Sequence, residues 1–222
     1  MRSCHLRELG RIDYQSALVL QQQLVAARKL GEIPDQLLLL EHPHVITLGR
    51  NARQENLLAS ETVLRANGVS LFETDRGGDI TYHGPGQLVG YPILDLRDWK
   101  RDVVGYVRAL EQVLIDTLAD FGISAGRIPK LTGVWVGDHK IAALGVHISR
   151  WVTSHGFALN VTTDLNCFRW IVPCGLTKPV TSMAALGVAA GLPDVSRSLA
   201  AHFGHVFDCQ MLLEPMLAAP GK

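Results

Sequence analysis

Thiols and amines serve as nucleophiles and proton acceptors, and this chain has candidates for both. Four cysteines stand at positions 4, 167, 174 and 209. Cys174 lies between Pro173 and Gly175, where the backbone is constrained on one side and free on the other. Thr181 or Ser182 can cap a short helix through Leu186, and a thiol near a helix N-terminus or a lysine has a lowered pKa. A single cysteine is more often a small buried hydrophobe, and Cys167, in Asn-Cys-Phe, is the nearest competitor. Among the lysines, Lys140 matters most. It opens a predicted strand, and alternation places it on one face with Ala142 and Leu144. The plain alternative is a strand entrance with the ammonium in water, because lysine is rarely buried alone. The small residues Ala142, Ala143 and Gly145 leave room beside such a strand for a flexible acyl chain.

A ligand-holding loop is the third candidate. Between Arg76 and Leu96 the chain places five glycines and two prolines among polar groups, followed by an apolar run. Glycine tolerates positive φ and lets a backbone approach another molecule. Arg76-Gly77-Gly78 followed by Thr81-Tyr82-His83 therefore reads either as a loop that grips a ligand or as a strand-turn-strand connection with tight turns. Gly84-Pro85-Gly86-Gln87-Leu88-Val89-Gly90 is not a dinucleotide fingerprint, since its last spacing is wrong and an apolar strand follows instead of a helix. No P-loop pattern occurs.

Composition narrows the class. The 222 residues suit one domain, 1–222, with a core from about 9 to 208 and a tail from 210 expected to fray. Apolar residues make 47% and charged ones 19%, an ordinary globular balance. Basic and acidic residues number 21 each, so no cationic surplus points to nucleic acid. Leu37–Leu40, the longest aliphatic run, is too short to span a bilayer, and Met1–Asp13 has no apolar signal segment. No membrane association and a cytoplasmic location are expected. The cysteines form no Cys-x-x-Cys pair, and neither His42/His44 nor His139/His147 has metal-site spacing, so no metal and no disulfide frame is expected.

The elements that must carry these residues follow from caps and periodicity. Asp13 to Leu30 reads as a helix closed by Gly31, with Tyr14, Ala17, Leu18, Gln21, Leu24 and Val25 as a core stripe. Strands are predicted at Leu37–Leu40, Val45–Gly49 and Val69–Thr74, and a helix from Ser60 to Asn67. Leu88–Leu96 holds Pro92, which predicts an edge or bulged strand. Asp102–Phe121 is the longest helix, with Val103, Val107, Leu110, Leu114, Leu118 and Phe121 inward. Gly133–Val136, His139–His147 and Gly156–Val161 read as an antiparallel meander. A helical turn in Asp164–Trp170 and a last helix, Pro193–Phe207, complete the chain.

Four ordered blocks carry a resemblance. Arg76-Gly77-Gly78-x-x-Thr81-Tyr82-His83-x-x-Gly86-Gln87-x-x-x-Tyr91 resembles the signature of the octanoyl (lipoyl) transferases, which move octanoyl from acyl carrier protein to a target lysine. Thr132–Val136 with Lys140–Gly145, His155–Asn160 and Pro173–Leu176 match the same family, so the likeness spans roughly 37–186. It implies an α/β fold with a mixed, largely antiparallel sheet flanked by helices, as in biotin and lipoate protein ligases. It also implies an acyl thioester on Cys174 with Lys140 as its partner. Arg76, Gly77, Gly78, Asp79, Ile80, Thr81, Tyr82 and His83, with Ala143, Leu144, Gly145, Gly156, Phe157 and Ala158, would line the acyl chain. The donor would be the octanoyl-phosphopantetheine of acyl carrier protein, with no further cofactor. The acceptors would be lipoyl domains of 2-oxoacid dehydrogenase complexes and the glycine cleavage H protein, served by a monomer. Arg50, Arg53, Arg76, Arg150 and Lys178 are candidates for docking the acidic carrier, and N–H groups at Gly77-Gly78 or after Cys174 for an oxyanion site. An ATP-dependent ligase on the same fold, a cysteine thioesterase and a non-catalytic acyl-carrier binding module stay open as alternatives.

Overall fold

The computed structural model describes residues 2–172 and 178–214. Its layering is set by β2 (Asp35–Glu41). Leu37 and Leu39 point into a core with α3 (Val103–Asp120) and α4 (Leu192–Val206). Leu38 and Leu40 point the other way, towards α1 (Tyr14–Leu30). All four leucines are almost inaccessible. A strand covered on both faces reads as an unbroken aliphatic run, which is why Leu37–Leu40 was legible.

Among the described residues, eight strands form the main sheet. β1 (Arg2–Arg11) runs parallel to β2, and β11 (Cys209–Leu213) runs parallel to β1 at the edge. On the other side of β2 come β6 (Gln87–Ile93), β10 (Val152–Asn160), β9 (His139–Ser149), β8 (Leu131–Val136) and β7 (Gly126–Ile128), each antiparallel to the last. A smaller sheet joins β3 (Val45–Leu48) to β4 (Ser70–Glu73) and β5 (Ile80–His83). It encloses a separate core of Ile46, Ile80, Tyr82, Phe168 and Trp170 with α2 (Glu61–Ala66). This is the mixed, largely antiparallel α/β architecture that the family resemblance implied.

The helix ends follow their caps. Asp13 accepts a hydrogen bond from Ser16 N–H, Ser60 from Val63 N–H and Asp102 from Gly105 N–H. Two expectations need correction and two need refinement. The core does not begin near residue 9, because β1 buries Cys4 and Leu6 between outward-facing charges. The tail does not fray from 210 as expected: Cys209–Leu213 pairs with β1, and the Glu214 carboxylate meets His5 and Arg7. β6 lies in the middle of the sheet, which rules out the edge and leaves the irregular strand that Pro92 also allowed. Pro92 fits there because the ladder to β10 lapses between Gly90–Phe157 and Asp95–Val152, while Leu37 faces it from β2. The inward stripe of α3 holds at Leu110, Leu114 and Leu118 but is wider than expected, taking in Tyr106, Val113 and Thr117, and it excludes Val103, which is 47% exposed.

One buried carboxylate joins α3 to β7 and β8. Glu111 is fully inaccessible and accepts from Arg108 (2.6 Å), Arg127 (3.0 Å) and the Gly133 N–H (3.0 Å). Removing it leaves the buried Gly133 N–H without an acceptor, while both arginines reach water. Glu111→Ala is expected to lower unfolding free energy by about 1–3 kcal/mol, the usual effect of leaving a buried donor unpaired, and urea unfolding would measure it.

Candidate active site

The Arg76–Asp79 loop is held by backbone. Gly77 N–H donates to Val146 O of β9 at 2.9 Å, Arg50 N–H to Arg76 O at 3.0 Å, and Asn51 N–H to Gly78 O at 3.1 Å. The approach to β9 is close enough that a Cβ on Gly145 would stand 2.8 Å from Gly77 O. The Arg76 guanidinium, itself buried, donates to Thr47 O at 2.7 Å and Thr47 Oγ1 at 2.9 Å. Asp79 accepts from Arg53 and Ile80 N–H and from the Asn56 side chain, fastening the neighbouring loop. Two expectations change here. The Gly77 N–H is already committed to Val146, so it is not an oxyanion donor. Arg76 is too buried to dock a protein partner.

Beneath this loop runs a narrow tunnel enclosing about 30 Å³. Arg76, Gly78, Thr81 and His83 form one wall, and Ala143, Leu144, Gly145, Gly156, Phe157 and Ala158 form the other. Strand alternation divides the expected lining of β5. Thr81 and His83 face the tunnel, whereas Ile80 and Tyr82 turn into the second core. The tunnel meets an open cleft of about 910 Å³ lined by Gly77, Asp79, Lys130, Thr132 and Lys140. Its closed end is made by Tyr14, Tyr91 and His155. The sequence reading placed Tyr14 in core packing and missed the other two as an end wall. The available signal was polar side chains, Tyr14 and Gln21, on an otherwise apolar helix stripe.

Lys140 sits where cleft and tunnel floor meet, beside Thr81, Ala143 and Ala158. It is 6% exposed, with Nζ 4.8 Å above the Trp135 ring, so the water-exposed strand entrance is not what forms. Its face also differs from simple alternation. Trp135 pairs with Lys140 but Val134 with Ala142, which makes Ile141 an extra residue. Ile141 and Ala142 both enter the core below α3, and Lys140 turns towards the cavity. Among the described residues no carboxylate pairs with its amine. The backbone of Lys140 is clamped as well: its N–H donates to Pro179 O and its carbonyl accepts from Thr181 N–H, both at 2.9 Å. Cys174 falls in 173–177, outside the described residues. Cys167, its competitor, is buried in the second core with Tyr82 and Phe168.

A polar chain crosses the floor. His83 Nδ1 meets Gln87 Oε1 at 2.7 Å, Gln87 Nε2 donates to Asn160 Oδ1 at 2.9 Å, and Asn160 Nδ2 donates to Thr181 O at 2.9 Å. As Gln87 Oε1 can only accept, His83 is protonated on Nδ1. Burial pushes the His83 pKa down to about 3, and neighbouring His42 adds to the shift. Burial likewise lowers His42 and His155, although Asp75 opposes it at His155. Burial raises Tyr14 to about 12, so its hydroxyl stays protonated.

These shifts have a defined sign. With the folded-state pKa of His83 below the unfolded value of 6.5, the unfolded chain binds more protons between the two. Stability is therefore complete above pH 6.5 and is lost as pH falls towards about 3. His83→Asn should flatten that loss by about one proton, read from urea midpoints at pH 7, 6, 5 and 4.

Comparison with known proteins agrees with this geometry. Residues 13–204 match the lipoyl protein ligase A/B catalytic domain family. The chain is 70% identical over 219 residues to an octanoyltransferase of Solibacter usitatus, covering 99% of this chain and 100% of that one. It is 56% identical over 211 residues to an octanoyltransferase of Koribacter versatilis, covering 92% and 84%. A solved lipoate-protein ligase A bound with ATP superposes with a TM-score of 0.77 at 17% identity, over 97% of this chain and 90% of that one. A biotin protein ligase from Aquifex aeolicus gives 0.54 at 11%, over 92% and 69%. At those identities the structural likeness is one of fold.

Proposed function

Because the chain belongs to the octanoyltransferases within the lipoyl protein ligase A/B catalytic-domain family, and so transfers octanoyl groups in protein lipoylation, we propose that the transfer starts from acyl carrier protein and passes through a thioester on Cys174. The observation that carries this reading is Lys140, a buried amine between the open cleft and a row of small residues, Ala142, Ala143 and Ala158. The amine takes the Cys174 proton, and the thiolate attacks the octanoyl thioester. The bond from the acyl carbon to the pantetheine sulfur breaks as the bond to Cys174 forms. The leaving pantetheine thiolate then takes the proton from Lys140.

The second half-reaction reverses the roles. A lysine amine of a lipoyl domain attacks the acyl-enzyme, an amide forms, and Cys174 leaves as thiolate to be reprotonated. The thioester arrives activated, so this route requires neither ATP nor a metal. Ala143 and Ala158 present only methyl groups to the cavity, and an acyl tail entering it widens the narrow space between them and the Arg76–His83 wall. Each methylene removed from water there contributes about 0.8 kcal/mol. The open cleft, with Arg53 and Lys130 on its wall, suits the phosphopantetheine arm and then the acceptor lysine. With one site serving two macromolecules in turn, double-reciprocal plots should be parallel.

The reaction to run contains octanoyl-acyl carrier protein and a lipoyl domain without ATP. Octanoyl-lysine should accumulate at the target residue, and Lys140→Ala should slow its formation by roughly 10²- to 10⁴-fold at neutral pH, as loss of a general base does. A near-normal rate in that variant would remove Lys140 from the chemistry. Free octanoate as the main product would favour a thioesterase.

A further inference from the structure

The tunnel and a neighbouring groove lie end to end on one face of the sheet, and three elements pass from one to the other. Along α1, Tyr14 closes the tunnel while Leu18 and Val25 line the groove. Along β10, Gly156 belongs to the tunnel and Ser154 to the groove. Along β9, Gly145 and His147 make the same step. The groove holds about 460 Å³. At the crossing point stands His155, which lines both cavities.

We propose that His155, backed by Gln21, is the partition that limits acyl length, and that the groove behind it receives longer chains when the imidazole is removed. This rests on the acyl-transfer reading above. His155 is built as a fixed wall. It is 2% exposed, its Nε2 meets Asp75 Oδ1 at 2.7 Å, and its ring packs edge-on against Tyr91. Its N–H donates to Gln21 Oε1 at 2.8 Å instead of continuing the ladder to β6. Gln21 is itself 1% exposed, and its Nε2 is buried without a hydrogen-bond partner. An amide placed at that cost between helix and sheet is more than filler. His155 also holds a φ of +55°, a left-handed conformation inside a strand that favours glycine. His155→Gly therefore removes the ring while relaxing the backbone.

The test is acyl-enzyme formation, by intact-protein mass, from octanoyl-, decanoyl-, dodecanoyl- and tetradecanoyl-acyl carrier protein. Wild type should load octanoyl and discriminate against dodecanoyl. In His155→Gly the dodecanoyl-to-octanoyl rate ratio should rise roughly tenfold or more, the scale on which a hydrophobic pocket tells a methylene or two apart. Adding Leu18→Trp, which refills the groove without touching the tunnel, should return the ratio towards wild type. His155→Asn, tolerant of positive φ and smaller, serves if the glycine variant unfolds. An unchanged ladder in a variant that still loads octanoyl overturns the partition and spares the transferase. A broadened ladder that Leu18→Trp does not reverse assigns the effect to general loosening and also overturns it. Failure of wild type to load any chain overturns the transferase reading and the partition with it.

Discussion

With no side chain at Gly145, the loop carrying Arg76 and Gly77 lies directly on β9. A Cβ there would stand 2.8 Å from Gly77 O, in the place where the loop instead makes its 2.9 Å hydrogen bond to Val146. That crossing turns an open sheet face into a roofed one. It sets the buried Arg76 guanidinium against Thr47 and brings Thr81 and His83 opposite Ala143 and Ala158. The enclosed space is narrow, apolar along its floor and polar at its end. Those properties follow from residue size at four floor positions and from one close backbone contact.

The same economy governs the amine. A lysine on a regular strand would alternate with its neighbours, and Lys140 would share the α3 face with Ala142. The extra residue at Ile141 turns it to the other side, over the Trp135 ring. Glu111 supports this arrangement from α3 by holding the Gly133 N–H, and Gly133 packs against the Lys140 side chain. The hydrogen-bond chain from His83 through Gln87 and Asn160 ends at Thr181, whose N–H binds the Lys140 carbonyl. Tunnel wall and amine are thus fixed by one connected set of buried polar groups, and such a set is rigid only while every member is satisfied.

What could be read from the sequence was local chemistry. Asp13, Ser60 and Asp102 announced helix starts, and the meander from Gly133 to Val161 announced itself by alternation and turns. The tunnel segments were found through motif resemblance, and the structure brings Arg76, Gly78, Thr81, His83, Ala143–Gly145 and Gly156–Ala158 together. What could not be read was decided by distant partners. β1 hides Cys4 and Leu6 among charges, and β11 forms by parallel pairing with it across almost the whole chain. Pro92 signals an edge or a bulge, and the lapse in the ladder that decides between them arises at His155, far along the sequence. A bulge such as that at Ile141 leaves no trace in hydrophobic periodicity, so the direction of Lys140 had to come from pairing register.

The covalent route stands or falls on where the acyl group rests between partners. Intact-protein mass and peptide mapping after brief exposure to octanoyl-acyl carrier protein, with no acceptor and no ATP, address it directly. The account predicts one octanoyl group, on Cys174, that moves to a lipoyl domain when one is added. Turnover without any adduct, an adduct on Cys167, or acceptor modification that appears only with octanoate and ATP would contradict it.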